Sequence, residues 1–382
     1  MEQNKINPGN KISLLIGGKQ AFPVILQEIR NCRESIYICM FVWREDRIGK
    51  QIARELLLAA DRGVKIVIDK DRYGILCECS EENRNSLFHK DPVFKDIVGI
   101  NIFKVLYQPG NLFKSSSKQE DELLRQMKKH PNITIRSEEY RLDHSKYFIF
   151  DEKIIIAGGI NIEDKENGAD VHGTEYVDYM LRIDDPDAVV KLHKAMNNEP
   201  GSGNGMFGLN IPGNEGSGIA RRYLELINAS NRELSIIMSY MIPLKEIMSA
   251  LKKALNRGVK LRLLIPEKAN YLNDSNRCSA MQLYEYAKQS GGDLEIYLSG
   301  KMSHIKAMMS EKTISIGSAN ITGKSLGRQG ELNVFIDNDD SEFCRSVRES
   351  FETQFKNAAM VNDPRQLKYR KLICLMEKIA MS

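Results

Sequence analysis

No stretch of the 382-residue chain reaches the roughly 18 consecutive apolar residues that a membrane-spanning helix needs. The opening Met1-Glu2-Gln3-Asn4-Lys5 has no apolar signal core either. Cysteine is scarce and does not pair by pattern. There are seven, an odd number, without two CxxC units, and Cys77-Glu78-Cys79 alone is a poor zinc signature. Cys77 and Cys79 therefore read as free thiols. An excess of one charge is also missing: 55 Lys+Arg against 51 Asp+Glu leaves a net +4, which neither demands nucleic acid nor repels anionic lipid. These absences predict a reducing, cytosol-facing location, with any membrane contact peripheral.

What is present is the composition of a globular protein, 42% hydrophobic and 28% charged, long enough for two domains or two halves of one enzyme. The chain repeats itself. Glu34-Ser35-Ile36-Tyr37-Ile38-Cys39-Met40 reads as a buried strand. A helical pattern of Ile52, Leu56, Ala59 and Ala60 follows, and stops at Arg62-Gly63, with glycine in its usual place after a helix. A second strand, Val64 to Ile68, runs on to Asp69. The same order returns as Leu234 to Met238, a helix carrying Ile247, Leu251 and Leu255, the turn Asn256-Arg257-Gly258, and Val259 to Ile265. Arg62-Gly63-Val64-Lys65 and Arg257-Gly258-Val259-Lys260 are identical in type. Each half thus predicts a right-handed β-α-β unit with parallel pairing.

Between the halves, residues 199–218 hold seven Gly and two Pro, the composition of a flexible loop. The expected organisation is an N-terminal half over 1–198, this linker, and a C-terminal half over 219–382. Gly63 lies 81 residues before His144, whereas Gly258 lies only 46 before His304, so the first half carries an insertion of about 35 residues. The polar stretch Ser80 to His130 is its expected place.

Two of six histidines stand in matching contexts. One is His144-Ser145-Lys146, followed by Asp151 and by Gly158-Gly159-Ile160-Asn161. The other is His304-Ile305-Lys306, followed by Gly317-Ser318-Ala319-Asn320. His-x-Lys alone means little in a chain with this many basic residues, but its duplication with the same downstream Gly-x-x-Asn is specific. Each His-x-Lys leads into an apolar run, a short polar turn and a second apolar run, which predicts a β-hairpin returning the Asn beside the His and Lys.

The twice-present motif resembles the HKD signature of the phospholipase D superfamily, from about Ile12 to Ile336. Phe41-Val42-Trp43-Arg44-Glu45-Asp46-Arg47-Ile48-Gly49, Ser239-Tyr240-Met241-Ile242-Pro243 and Leu264-Ile265-Pro266-Glu267-Lys268 look like the cardiolipin synthase branch. The resemblance implies an α/β fold of two pseudo-symmetric halves, each a mixed, mostly parallel sheet flanked by helices, with the site between them. It also implies an enzyme for phosphatidyl transfer or phospholipid hydrolysis through a phosphohistidine, with no metal and no cofactor. Its substrate would be an anionic glycerophospholipid, with an alcohol or water as acceptor. The alternative is a superfamily nuclease cutting DNA or RNA.

Chemistry agrees with this implication. Lys146 and Lys306 can neutralise phosphate oxygens, and Asn161 and Asn320 can donate hydrogen bonds to them. One imidazole can attack phosphorus while the other protonates the departing alcohol. By resemblance, His144 is the expected nucleophile and His304 the general acid. Each ring needs an acceptor at its other nitrogen, in the family an acid downstream of the other half's motif. Glu331 is paired with His144 on this basis, and Asp178, with Glu175 as its rival, with His304.

The copies differ in two places. The second offers Ser310-Glu311 where Asp is expected, predicting looser hairpin geometry, and has Ser318 where the first has Gly159. Ser318 is therefore a candidate phosphate donor, and Trp43, just past a strand end, a candidate for lining the pocket mouth. His89, His130, His172 and His193 lack partners at motif spacing and read as surface or structural. For lipid contact two segments qualify. In residues 367–379, Leu372, Leu375, Met376 and Ile379 fall at helical spacing beside Lys368, Arg370, Lys371 and Lys378. That helix is expected to dock its apolar face on the second half. The Gly-rich loop, with Met206, Phe207, Leu209 and Ile211, is expected to be the better anchor.

Overall fold

The duplicated pattern folds into two sheets that share one strand order. The computed structural model describes residues 11–80, 85–89, 92–107, 121–168, 173–199, 205–212 and 218–381. The first half supplies β1 (Ile12–Ile16), β2 (Ser35–Met40), β3 (Lys65–Lys70), β4 (Ile133–Arg136), β5 (Tyr147–Phe150), β6 (Ile154–Gly158), β7 (Tyr176–Val177) and β8 (Tyr179–Asp184). The second supplies β9 (Phe207–Asn210), β10 (Glu233–Met238), β11 (Lys260–Pro266), β12 (Leu294–Ser299), β13 (Met302–Ser303), β14 (Lys306–Ser310), β15 (Thr313–Gly317), β16 (Glu331–Asp337) and β17 (Ala359–Met360). The seven-stranded sheet runs β1-β8-β6-β5-β2-β3-β4, and the eight-stranded sheet runs β9-β16-β15-β14-β10-β11-β12-β17. Strand for strand, the second repeats the first and adds one edge.

The parallel share is smaller than expected. Parallel pairing joins β2 to β3 to β4 and β10 to β11 to β12. Every other pair in these two sheets is antiparallel, because the hairpins that follow His-x-Lys enter the sheets and bring further antiparallel strands with them. The Gly-rich stretch is also not all loop. Phe207–Asn210 pairs with β16 as β1 pairs with β8, and Phe207 is buried between the sheets. This removes the loop as a membrane anchor.

The crossover helices form where their sequence dictates. In Arg47–Asp61 the Asp46 side chain caps the N-terminus by accepting from the Gly49 N–H at 3.0 Å. Ile48, Ile52, Leu56 and Ala59 recur at helical spacing and are buried. Gly63 at φ +98° and Gly258 at φ +81° end this helix and its counterpart Lys245–Asn256 in the left-handed region. One core lies under the helices of each half. A third lies between the sheets, where Tyr147, Ile155 and Leu181 of the first half meet Ile237, Ala307 and Leu332 of the second. The halves are therefore packed back to back through apolar surface.

Candidate active site

His144 and Lys146 lead into β5, and His304 and Lys306 into β14. The tight turn after β5 places Asp151 and Glu152 at positive φ. Asp151 then accepts the backbone N–H groups of Arg33 at 3.0 Å, Glu34 at 2.7 Å and Ser35 at 3.0 Å, fixing the hairpin to the turn before β2. Glu311 does the same work in the second copy, accepting from the Asn231 N–H at 2.8 Å. The looser second hairpin expected from the missing Asp is not found, since the longer acid reaches the same kind of donor.

What aims the histidines is pairing between the halves. The His144 N–H donates to the Gly330 carbonyl at 2.8 Å, and the Gly330 N–H donates back to Leu142 at 2.8 Å. Correspondingly, the His304 N–H donates to the Val177 carbonyl at 2.8 Å, continuing the parallel pair of β7 and β13. Gly330 and Val177 each immediately precede an acid. His144 Nδ1 accordingly lies 3.2 Å from both Glu331 oxygens, and His304 Nδ1 lies 2.8 Å from Asp178 Oδ2. Both acid–imidazole pairs thus form as the resemblance implied. Glu175 is instead 56% exposed, paired with Lys301 at 2.5 Å.

Burial governs the electrostatics. It pushes the His144 imidazole below its usual value with help from Lys146, against the pull of Glu331. Burial and Lys306 push His304 down to about 4 despite Asp178. Both rings are therefore neutral at pH 7, each donating Nδ1–H to its carboxylate and keeping the Nε2 lone pair. Burial raises the carboxyls of Asp178 and Glu331, yet Lys306 and His304 hold Asp178 below its ordinary range, as His144 and Lys146 hold Glu331. Burial also lowers Lys146 to about 8 and moves Lys306 the same way. Lys146 donates to the His144 carbonyl, and Lys306 to the His304 carbonyl and to Asp178 Oδ2 at 3.3 Å.

His144, Asn161 and His304 share a cleft of about 80 Å³, room for a few waters or a phosphate-sized group. Phe41, edge-on to His144 at 4.7 Å, and Tyr240, edge-on to His304 at 6.0 Å, line it with Tyr176, Asn270 and Tyr271. Asn161 Oδ1 accepts from the Val42 N–H at 3.3 Å, which leaves its amide N–H groups for a ligand. Asn320 is buried, with Oδ1 lacking a hydrogen-bond partner among the described residues.

Two expected substrate contacts are corrected. Trp43 is fully buried in the first core, packed on Phe88 and donating to the Gly49 carbonyl at 3.1 Å. Its neighbour Phe41 faces the cleft instead. Ser318 is committed elsewhere: its hydroxyl donates to Glu331 Oε2 at 2.5 Å and accepts from the Leu332 N–H at 3.0 Å. The Gly159/Ser318 difference follows from the acids. A Cβ at Gly159 would stand 2.3 Å from Asp178 Oδ2, so only glycine leaves space for that carboxylate.

Sequence reasoning passed over two further residues, each five places after a motif Asn. Ser325 donates to Glu331 Oε1 at 2.7 Å. Its counterpart Glu166 is buried, 3.9 Å from His304 Nδ1, with Oε2 lacking a hydrogen-bond partner among the described residues. Burial and Asp178 raise the Glu166 carboxyl well above its ordinary value, which favours its neutral, protonated form. Glu166, Asp178 and His304 are also the described residues best grouped to hold a cation, but the Lys306 ammonium already sits against Asp178. The signal that would have found this pair was the alignment of the two copies beyond the Asn.

Of the other histidines, His89 is buried against Ser137, while His130 pairs with Asp61 and His193 with Glu152. His172 lies outside the described residues. None of the seven cysteines is joined in a disulfide.

The family model described as "Cardiolipin synthase, PLD-like domain" matches residues 25–199 and 223–355. The chain belongs to that family. Among members of this phospholipase D-like group, cardiolipin synthase B of Shigella flexneri is 27% identical over 365 residues, covering 90% of this chain and 79% of that protein. Cardiolipin synthase of Clostridium perfringens strain SM101 is 24% identical over 372 residues, covering 91% and 70%. In fold, the chain resembles phosphatidylserine synthase of Haemophilus influenzae, with a TM-score of 0.69 at 12% identity over 97% of this chain and 93% of that one. It also resembles polyphosphate kinase of Porphyromonas gingivalis, with a TM-score of 0.57 at 13% identity over 94% of this chain and 50% of that one.

Proposed function

We propose that this phospholipase D-like chain is a phosphatidyltransferase acting on anionic glycerophospholipids, with water as a competing acceptor. The observation that carries the proposal is the shared cleft: two imidazoles open into it, each with Nδ1 held by an acid from the other half. The names of the cardiolipin synthase relatives support a lipid as substrate.

In the proposed first step, the His144 Nε2 lone pair attacks phosphorus. The phosphorus–oxygen bond to the leaving glycerol breaks, and that oxygen takes a proton from His304. A phosphodiester anion seated between Lys146 and Lys306 offsets the positive charge that depresses His304, and the hydrogen bond that His304 Nδ1–H donates to Asp178 then favours its imidazolium. In the second step, His304 removes the proton of an incoming hydroxyl, whose oxygen displaces His144 from phosphorus. In this reading Lys146, Lys306, Asn161 and Asn320 meet the charge that develops on the phosphate. A lipid substrate requires the chain to meet a bilayer, and peripheral contact is part of this reading.

The test offers the purified protein phosphatidylglycerol, phosphatidylethanolamine and single-stranded DNA in parallel, with products identified by mass spectrometry. Diphosphatidyl product with free glycerol is expected, and phosphatidic acid marks the water route. DNA cleavage without lipid turnover would replace this reading with a nuclease.

A further inference from the structure

The helix Lys371–Ala380 is docked the reverse of the usual way. Its inward residues are Cys374 and Glu377. Glu377 accepts from the Ser275 N–H at 2.7 Å, the Cys374 carbonyl accepts from the Ser275 hydroxyl at 3.3 Å, and Arg370 just ahead of the helix binds Asp274 at 2.7 Å. Polar contacts thus hold the helix down. Leu372 at 70% exposure and Leu375 at 55% face solvent, with Met376 and Ile379 on the same side. The apolar face expected to be covered is the uncovered one.

Through Lys378 and the following Met381 the same helix also walls a cleft of about 780 Å³, lined further by Leu244, Met248, Lys245 and Lys252, with no acid among its described lining residues. Met381 also joins the cluster of Tyr240 and Tyr271, two residues that line the catalytic cleft. The other rim of that cleft has a similar feature. Helix Ile75–Ser80 contributes Cys77 to the lining and packs through Ile75 and Cys79 on Ile100 of helix Phe94–Tyr107. The same helix exposes Phe94 at 82% and Ile102 at 57%. The insertion expected to be polar therefore contains an apolar helix beside the mouth.

We infer that these two helix faces form the surface on which the chain sits on an anionic phospholipid bilayer, with the catalytic mouth between them. The inference rests on the lipid-substrate reading. The catalytic cleft takes a phosphate-sized group, so the rest of a lipid stays outside it, where the two apolar faces lie. Leucine and phenylalanine side chains enter the acyl boundary, and the lysines of the adjoining cleft meet anionic headgroups. Bilayer area, rather than a single protein partner, accounts for apolar exposure on both halves around one opening.

The experiment is co-sedimentation of the full chain with vesicles of phosphatidylglycerol and phosphatidylcholine mixed, or of phosphatidylcholine alone. Turnover of a monomeric short-chain phosphatidylglycerol is measured alongside. The variants are Leu372→Ser with Leu375→Ser, and Phe94→Ser with Ile102→Ser, solvent-facing positions whose change leaves the core intact. Wild type is expected to partition onto the anionic vesicles. Each double variant should lower the partition coefficient roughly tenfold or more while short-chain turnover stays within about twofold. Unaltered partitioning in both variants overturns the inference. So does a fall in oligomeric mass without a fall in vesicle binding, which would assign the faces to a second copy. Wild type that turns over short-chain lipid but ignores vesicles sinks only this surface, whereas no lipid turnover at all sinks the lipid reading with it.

Discussion

His144 Nδ1 meets both carboxylate oxygens of Glu331 at 3.2 Å, although the two residues are 187 positions apart. The contact is set by the backbone bond from His144 to Gly330, the residue before the acid. Glu331→Gln keeps the shape and removes the charge that selects the Nδ1–H tautomer. The expected outcome is a fall in kcat of about 10²- to 10⁴-fold with KM little changed. Steady-state kinetics on short-chain lipid, at matched folding by circular dichroism, decides it. A loss below tenfold would show that the acid is dispensable.

Replacement of either histidine should remove nearly all turnover, because neither role has a substitute in the cleft. Rapid quench with labelled substrate should trap phosphate on His144. Phosphate on His304 would exchange the two roles, and its absence from both rings would defeat the double displacement.

Gly159→Ala puts a methyl group against Asp178, and Ser318→Gly withdraws a hydroxyl from Glu331. The first variant should be much the worse, approaching Asp178→Asn in activity, since the carboxylate must move off His304. Ser318→Gly leaves Glu331 with Ser325 and should cost about tenfold or less. Equal activity in both variants would refute the steric account of the glycine.

Burial and Asp178 shift Glu166 toward its neutral form, which Glu166→Gln mimics. Turnover at pH 7 should stay within a few-fold, whereas Glu166→Lys, which places a permanent charge beside Lys306, should abolish it. Inactivity of the Gln variant would mean that the site needs the carboxyl's titratable proton.

Lys146 links pH, stability and catalysis. Its ammonium is lost as pH rises through about 8, so kcat/KM for an anionic phosphodiester should decline above that pH. For stability the sign is opposite. The unfolded chain holds this proton up to the ordinary lysine value of 10.5, so burying the charged form costs stability at pH 7, and that cost fades between about 8 and 10.5. Lys146→Met should raise the unfolding free energy by about 1 kcal/mol while eliminating activity, as seen by thermal melts at pH 7. An unchanged or lower Tm would show that Glu331 and Asp178 need the lysine more than burial penalises it.

The chemistry was legible because it is duplicated: His144 and His304, Lys146 and Lys306, and Asn161 and Asn320 recur in register, which chance does not arrange. The two acids were legible only through the family resemblance, since nothing local pairs residue 144 with 331. Phe207–Asn210 was missed because four residues among glycines carry no periodicity; they become a strand only by pairing with β16. Trp43 was misplaced because a strand's end says where the chain exits and not which side each following residue turns to. The inverted helix at 371–380 could not be read either: its pattern marks an apolar face, but Ser275 and Asp274, nearly a hundred positions earlier, decide which face is bound.

Each ring takes its orientation from the opposite half, and this has a consequence in time as well as in space. While the first half has left the ribosome and the second has not, His144 exists without Glu331, and the acid waiting for His304 has nothing to hold. A chain that ends before the second half holds His144 without the acid that orients it. The proposed lipid chemistry in this way waits on the synthesis and docking of both halves.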